Sequence, residues 1–215
     1  MANSGVDWQA RSEVVRLKGA FGPIGGMTVE REIMGDIVDR IRADHTMMVR
    51  LLGRLETLVG SFTQGGEPDL HLMGEMIDFL VTYPDMCHHP MEDLLYDALE
   101  RKAPQAAASI ADMRREHEAM AGQLRNLAQA MSSILMEVEV SRETFSAMVR
   151  NFMARQLHHL TNEETGLLKM ARDVLDAEDL QRLGDEAREK ISNFGECRQM
   201  VRHAHFLPEA EAAER

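Results

Sequence analysis

Apolar residues recur at intervals of three and four along four long stretches of the chain, the period of one face of an α-helix. The first stretch carries Met34, Ile37, Val38, Ile41, Met48, Val49, Leu52, Leu55 and Val59, and it predicts a helix from an N-cap at Thr28 to Phe62. The second, Asp69 to Arg101, carries Ile77, Leu80, Val81, Met91, Leu95 and Leu99. The third, Gln105 to Val138, carries Ile110, Met113, Met120, Leu124, Leu127 and Met131. The fourth, Arg142 to Leu175, carries Met148, Phe152, Leu167 and Met170. Gln64-Gly65-Gly66-Glu67-Pro68 and Lys102-Ala103-Pro104 separate the first three. Pro84 and Pro90 fall inside the second stretch. Each removes a backbone donor and crowds the carbonyl four residues back, which predicts a kink or local break between Tyr83 and Met91.

Long helices with short connections make antiparallel neighbours, so the pattern predicts an all-α, up-down-up-down four-helix bundle. The bundle is expected over 28–191, ending in a short amphipathic helix near Ala177–Ile191. Residues 1–27 read as an N-terminal arm with a short helix from Trp8 to Lys18, broken by Gly22-Pro23 and Gly25-Gly26. Residues 192–215, acidic and alanine-rich near their end, read as a flexible tail. The net charge of −12 argues against nucleic acid or an anionic membrane surface as partner. No stretch is apolar enough to span a bilayer, and the N-terminus has no apolar signal core. The two cysteines, Cys87 and Cys197, lie far apart and form no disulfide framework, which fits a reducing, cytoplasmic setting. Cys87 itself reads as a core thiol, and the 17 methionines as an adaptable helical core.

Each apolar stripe contains a histidine: His45, His88, His117 and His159. Glu92 and Glu163 stand four residues after His88 and His159, on the same helix face. Any one of these alone is most simply a hydrogen-bonded core residue. Together they are harder to place, because unpaired buried glutamates cost several kcal/mol each. A bound metal removes that cost. The spacing brings the histidines to one level. His45 and His88 are both about 26–28 Å from the turn that joins their helices, and His88 and His117 are both about 18–20 Å from the opposite turn. Glu92 and Glu163 are displaced about one turn, roughly 6 Å, towards the same end and face each other across the bundle. Four histidine nitrogens and two bridging carboxylates suit a pair of metal ions, and iron fits best because an open, carboxylate-bridged pair serves mainly a redox metal.

The segments that carry this pattern are Ala43-Asp44-His45, Tyr83-Pro84 followed by His88-His89-Pro90-Met91-Glu92-Asp93, Glu116-His117-Glu118, and His158-His159-Leu160-Thr161-Asn162-Glu163-Glu164. They resemble the hemerythrin-like, or HHE cation-binding, family over about residues 33–190. The resemblance implies a four-helix bundle with a non-haem di-iron centre, oxo- or hydroxo-bridged, that meets O₂, NO or peroxide or senses iron or oxygen. Ferritin-like di-iron proteins use Glu-x-x-His instead, and that motif is absent here. Oxygen-carrying hemerythrins place a second histidine one turn along the third helix. Here the turns flanking His117 hold Met113 and Ala121, which tells against reversible O₂ carriage.

His89 and His158 fall on polar faces and read as surface or outer positions, although a one-residue shift would pair His158 with Glu163. His71 is too far along its helix to join the site, and His203 and His205 lie in the tail. Tyr83 is placed to hydrogen-bond near the site. Three function classes follow: a handler of reactive species or repairer of iron centres, with an electron donor or protein partner that the sequence does not identify; a non-catalytic module for O₂ or iron storage or sensing; and a purely structural helical interaction protein whose buried histidines bind nothing. The sequence does not decide whether the chain is an enzyme.

Overall fold

The computed structural model describes residues 36–191 and 194–204. The arm at 1–27 with its Trp8–Lys18 helix, the Thr28 cap and His205 lie outside the described residues. The described residues contain helices and no strand.

The first long helix, α1, runs Ile37–Thr63. It starts at Ile37 rather than after Thr28 because Asp36 caps it: the Asp36 carboxylate accepts from the Val38 and Asp39 amides and satisfies donors that have no intrahelical partner. Asp69 does the same for α2, Leu70–Tyr83, by accepting from Leu72. The expected break after Tyr83 is present and has a defined form. Pro84–His88 is a π-helical turn, and α3, His89–Lys102, follows without a gap. The His89 amide reaches back five residues to the Pro84 carbonyl. Pro90 has no amide to donate, so nothing pulls the chain back to α-helical register at this point.

A 3₁₀ turn at Pro104–Ala106 leads into α4, Ala107–Leu135. The fourth stretch is divided into α5, Arg142–Thr165, and α6, Leu167–Val174. Gly166 makes the division. A Cβ there would lie 2.7 Å from the Asn162 carbonyl oxygen, a contact no other residue tolerates. The amphipathic helix expected near 177–191 is α7, Ala177–Lys190.

Helix α1 packs along α5, α4 packs along both α5 and α2, and α2 and α3 close against α1. The enclosed faces carry the apolar stripes, including Ile41, Met48, Leu52, Ile77, Leu95, Ile110, Leu127, Phe145 and Phe152, all buried. Removing a side chain of this size from water stabilises the fold by roughly 1.5–3 kcal/mol. The same faces bury His45, His88, Glu92, His159 and Glu163.

The cysteines overturn an expectation. Cys87 is not a core thiol: it is bonded to Cys197, with an S–S distance of 2.08 Å. The partner lies on α8, Phe194–His203, in the segment read as a flexible tail, and both cysteines are buried. The separation of 110 residues hid the pair, because α8 folds back onto the π-turn and sequence distance says nothing about that return. The argument for a reducing compartment rested on unpaired thiols and loses its basis. No helix among the described residues is long and apolar enough to cross a membrane.

Candidate metal centre

The site is built from α1, the π-turn, α3, α4 and α5. His45 comes from α1, His88 from the π-turn, Glu92 from α3, His117 from α4, and His159 and Glu163 from α5. The six residues picked out by spacing do converge. Ligand atoms of His45, His88, Glu92 and Glu163 all lie within 4.8 Å of one another, and so do those of His117, His159 and Glu163.

The two glutamates lie between two pairs of histidines. Glu92 Oε1 is 2.8 Å from His88 Nε2 and 3.5 Å from His45 Nε2, while its Oε2 is 3.5 Å from His117 Nε2. Glu163 Oε2 is 3.3 Å from both His45 Nε2 and His159 Nε2. His117 Nε2 and His159 Nε2 are 3.0 Å apart. Five of these inward atoms are shut off from solvent and have no partner outside the cluster itself: His45 Nε2, His88 Nε2, both oxygens of Glu92, and Glu163 Oε2. Proteins rarely leave buried polar atoms in that condition. Their concentration at one point, all of them nitrogen or oxygen lone-pair donors, fits a divalent metal ion of the iron, manganese or zinc type.

The other ring nitrogen of three histidines is held by a carboxylate. His45 Nδ1 donates to Glu164 at 2.9 Å, His88 Nδ1 to Asp44 at 3.2 Å, and His159 Nδ1 to Glu116 at 3.0 Å. A proton fixed on Nδ1 leaves the Nε2 lone pair facing inward, as metal-binding histidines require. These acids stand beside site residues in sequence yet serve a different helix. Asp44 adjoins His45 and holds His88, Glu116 adjoins His117 and holds His159, and Glu164 adjoins Glu163 and holds His45. Tyr83 hydroxyl donates to Asp44 at 2.8 Å, and Arg42 pairs with Glu164 at 3.0 Å. Tyr96 hydroxyl donates to Glu163 Oε1.

Protonation follows from the same contacts. Burial pushes His117 and His159 down to about 3, with Glu92 opposing it only in part, so both rings are neutral and ready to bind. Burial also works against a charge on His45, but Glu163, Glu164 and Glu92 outweigh it and hold that ring well above its ordinary value. At His88, Glu92 and Asp44 outweigh burial and raise the ring to about 9. Burial and the facing Glu92 push Glu163 up to about 7. Burial would raise Glu92 too, but His88 and His45 keep it well below the carboxylate range. In the absence of metal, protons on His45 and His88 balance the buried carboxylates. A metal cation bound there would take over that role.

The doubtful histidines separate cleanly. His158 is exposed and hydrogen-bonds Asn162, so His159 is the residue that faces Glu163. His71 is exposed and outside the site. His89 does not sit on an open polar face. Its ring stacks on His117 with centroids 4.0 Å apart, and it forms a third group with Glu92 and His117. Successive side chains diverge less in a π-turn than in an α-helix, which carries His89 to the edge of the site beside His88. A purely α-helical reading could not find it.

A cavity of about 140 Å³ opens beside His117 and His89. Leu80, Val81, Met120, Ala121 and Leu124 form its apolar walls, with Asp85, Arg125 and Gln156 as polar members. The space is ample for a diatomic molecule or a peroxide. Ala121, one turn from His117, leaves part of this space open.

Among known proteins, a family model described as the hemerythrin HHE cation-binding domain matches residues 36–171. No curated protein and no solved structure matches the chain. The match spans more than half the chain and takes in every residue of the site, and the chain belongs to the hemerythrin HHE cation-binding domain family.

Proposed function

We propose that His45, His88, Glu92, His117, His159 and Glu163 hold two iron ions in an up-down-up-down bundle, and that the protein binds or reacts with O₂, NO or peroxide. The observation that carries this reading is the cluster of five buried nitrogen and oxygen atoms with no partner outside the cluster, where two glutamates stand between two pairs of histidines. Iron bound there supplies redox capacity and a coordination position open to a small ligand. The protein's part is to hold the donors. Asp44, Glu116 and Glu164 fix three imidazoles with Nε2 inward. The cavity beside His117 gives a diatomic or a peroxide room to approach. Reactive-species handling or repair of iron centres, with an electron donor still to be found, is the function that best uses such a centre.

Replacement of Glu92 or Glu163 by Ala tests the reading. Each change is expected to abolish both iron binding and the consumption of peroxide or NO. Activity retained by a metal-free variant would end the proposal. Reversible oxygenation, stable through several cycles in the wild type, would instead favour storage or sensing.

A further inference from the structure

We propose that Gln156 binds the small molecule that enters the cavity beside His117, and that this molecule is a hydroperoxide. The inference rests on the function proposed above and narrows its ligand to one chemical class. Gln156 stands on α5, three residues before His159. Phe152, Met153, His159 and Leu160, three and four residues to either side, are all buried, so Gln156 lies on the inward face of the helix. The residue itself is only 8% exposed. Its side-chain amide has no hydrogen-bond partner among the described residues. From α5 it reaches the wall of the cavity, where Leu80, Ala121 and Leu124 offer nothing polar. A buried amide without a partner is costly, and the partner of this one has to come from what fills the cavity.

The amide decides what that partner is. It presents two N–H donors and a carbonyl acceptor. Dioxygen and NO have no hydrogen to give, so either would leave the carbonyl oxygen unpaired. A hydroperoxide carries an O–H group beside a second oxygen. Its hydroxyl donates to the Gln156 carbonyl, and its oxygens accept from the Gln156 N–H groups. His117 lines the same cavity of about 140 Å³, and its Nε2 is 3.0 Å from that of His159. A hydroperoxide held by Gln156 therefore sits beside this histidine pair, at the end of the centre that the cavity reaches. Gln156 is a binding residue, and it fixes which small molecule stays there.

The test compares the full chain, loaded anaerobically with Fe(II), with Gln156→Met, which keeps the length of the side chain and removes its donors and its acceptor. Hydrogen peroxide and NO are the two probes, each followed by stopped-flow absorbance after iron content has been measured. Gln156→Met is expected to hold as much iron as wild type and to need about 3–10-fold more peroxide for half-maximal rate, while its reaction with NO stays within about twofold. Its unloaded form should be at least as stable in urea as wild type, because an amide without a partner in the protein contributes nothing to folding. Ala121→Leu, which narrows the cavity from α4, should slow the peroxide reaction with Gln156 in place. A peroxide dependence unchanged in Gln156→Met or in Ala121→Leu would overturn the proposal, and so would an equal loss towards peroxide and NO. Loss of stability or of iron in Gln156→Met would overturn it too, since Gln156 would then be a structural residue. Wild type that holds two irons and does not react with peroxide would end this proposal and leave the metal reading standing. Wild type without an iron pair would end both.

Discussion

The hydroxyl of Tyr96 on α3 donates to Oε1 of Glu163 on α5, so a buried tyrosine holds one oxygen of one glutamate of the site. The other oxygen, Oε2, is left facing His45 and His159. Tyr96 therefore sets which Glu163 oxygen would meet a bound metal. Tyr96→Phe keeps the packing and removes the donor. The variant is expected to bind iron about 10–100-fold more weakly. Its metal-free form should lose about 1–3 kcal/mol of stability, because Oε1 is left unsatisfied. Competition with a chelator measures the first effect and urea unfolding the second. Unchanged affinity would reduce Tyr96 to a packing residue.

Iron loading should depend on pH with a definite sign. Below pH about 9 the metal-free protein carries a proton on His88 that metal must displace, and below about 7 it carries another on Glu163. Apparent affinity should therefore rise as pH increases from 6 to 8, and binding should release protons. Anaerobic calorimetry in buffers of different ionisation enthalpy counts them. Proton uptake on binding, or affinity independent of pH, would contradict the assignment of these residues.

The six residues of the centre were legible because helical period and spacing suffice to bring His45, His88, His117 and His159 to one level. What surrounds them was not. Asp44, Glu116 and Glu164 adjoin site residues in sequence, and only the packing of helices shows that each serves a residue on another helix. A carboxylate beside His45, His117 and Glu163 in the sequence was the available signal. His89, read as a surface or outer position, stands at the rim of the site, paired with Asp85 and stacked on His117, and the two prolines that announce a break do not say it will be a π-turn. The helix that carries His45 starts after Asp36, a cap that the apolar period alone did not single out.

The disulfide makes a separate prediction. Denatured, unreduced protein should show no reactive thiol, and reduced protein should show two per chain, Cys87 and Cys197. Cys197→Ser releases the covalent hold on α8 and should cost about 2–4 kcal/mol. Thermal unfolding measures the loss. Two free thiols before reduction would mean that α8 is held by packing alone.

At Gly166, the helix division requires the absence of a Cβ, since one would press on the Asn162 carbonyl. Gly166→Ala should destabilise the protein by about 1–3 kcal/mol through displaced backbone. Because Glu163 and Glu164 lie in the preceding turn, iron should also be lost more readily to a chelator. A variant as stable as wild type would show that the turn adapts freely.

Metal content and the optical spectrum of protein purified anaerobically and then exposed to O₂ test the central claim most directly. About two irons per chain, with a near-ultraviolet band that appears on oxidation, is the predicted result for a nitrogen- and oxygen-ligated iron pair. Protein without metal, or with a single zinc per chain, would contradict the di-iron reading and leave the buried lone pairs of His45, His88, Glu92 and Glu163 to be explained another way.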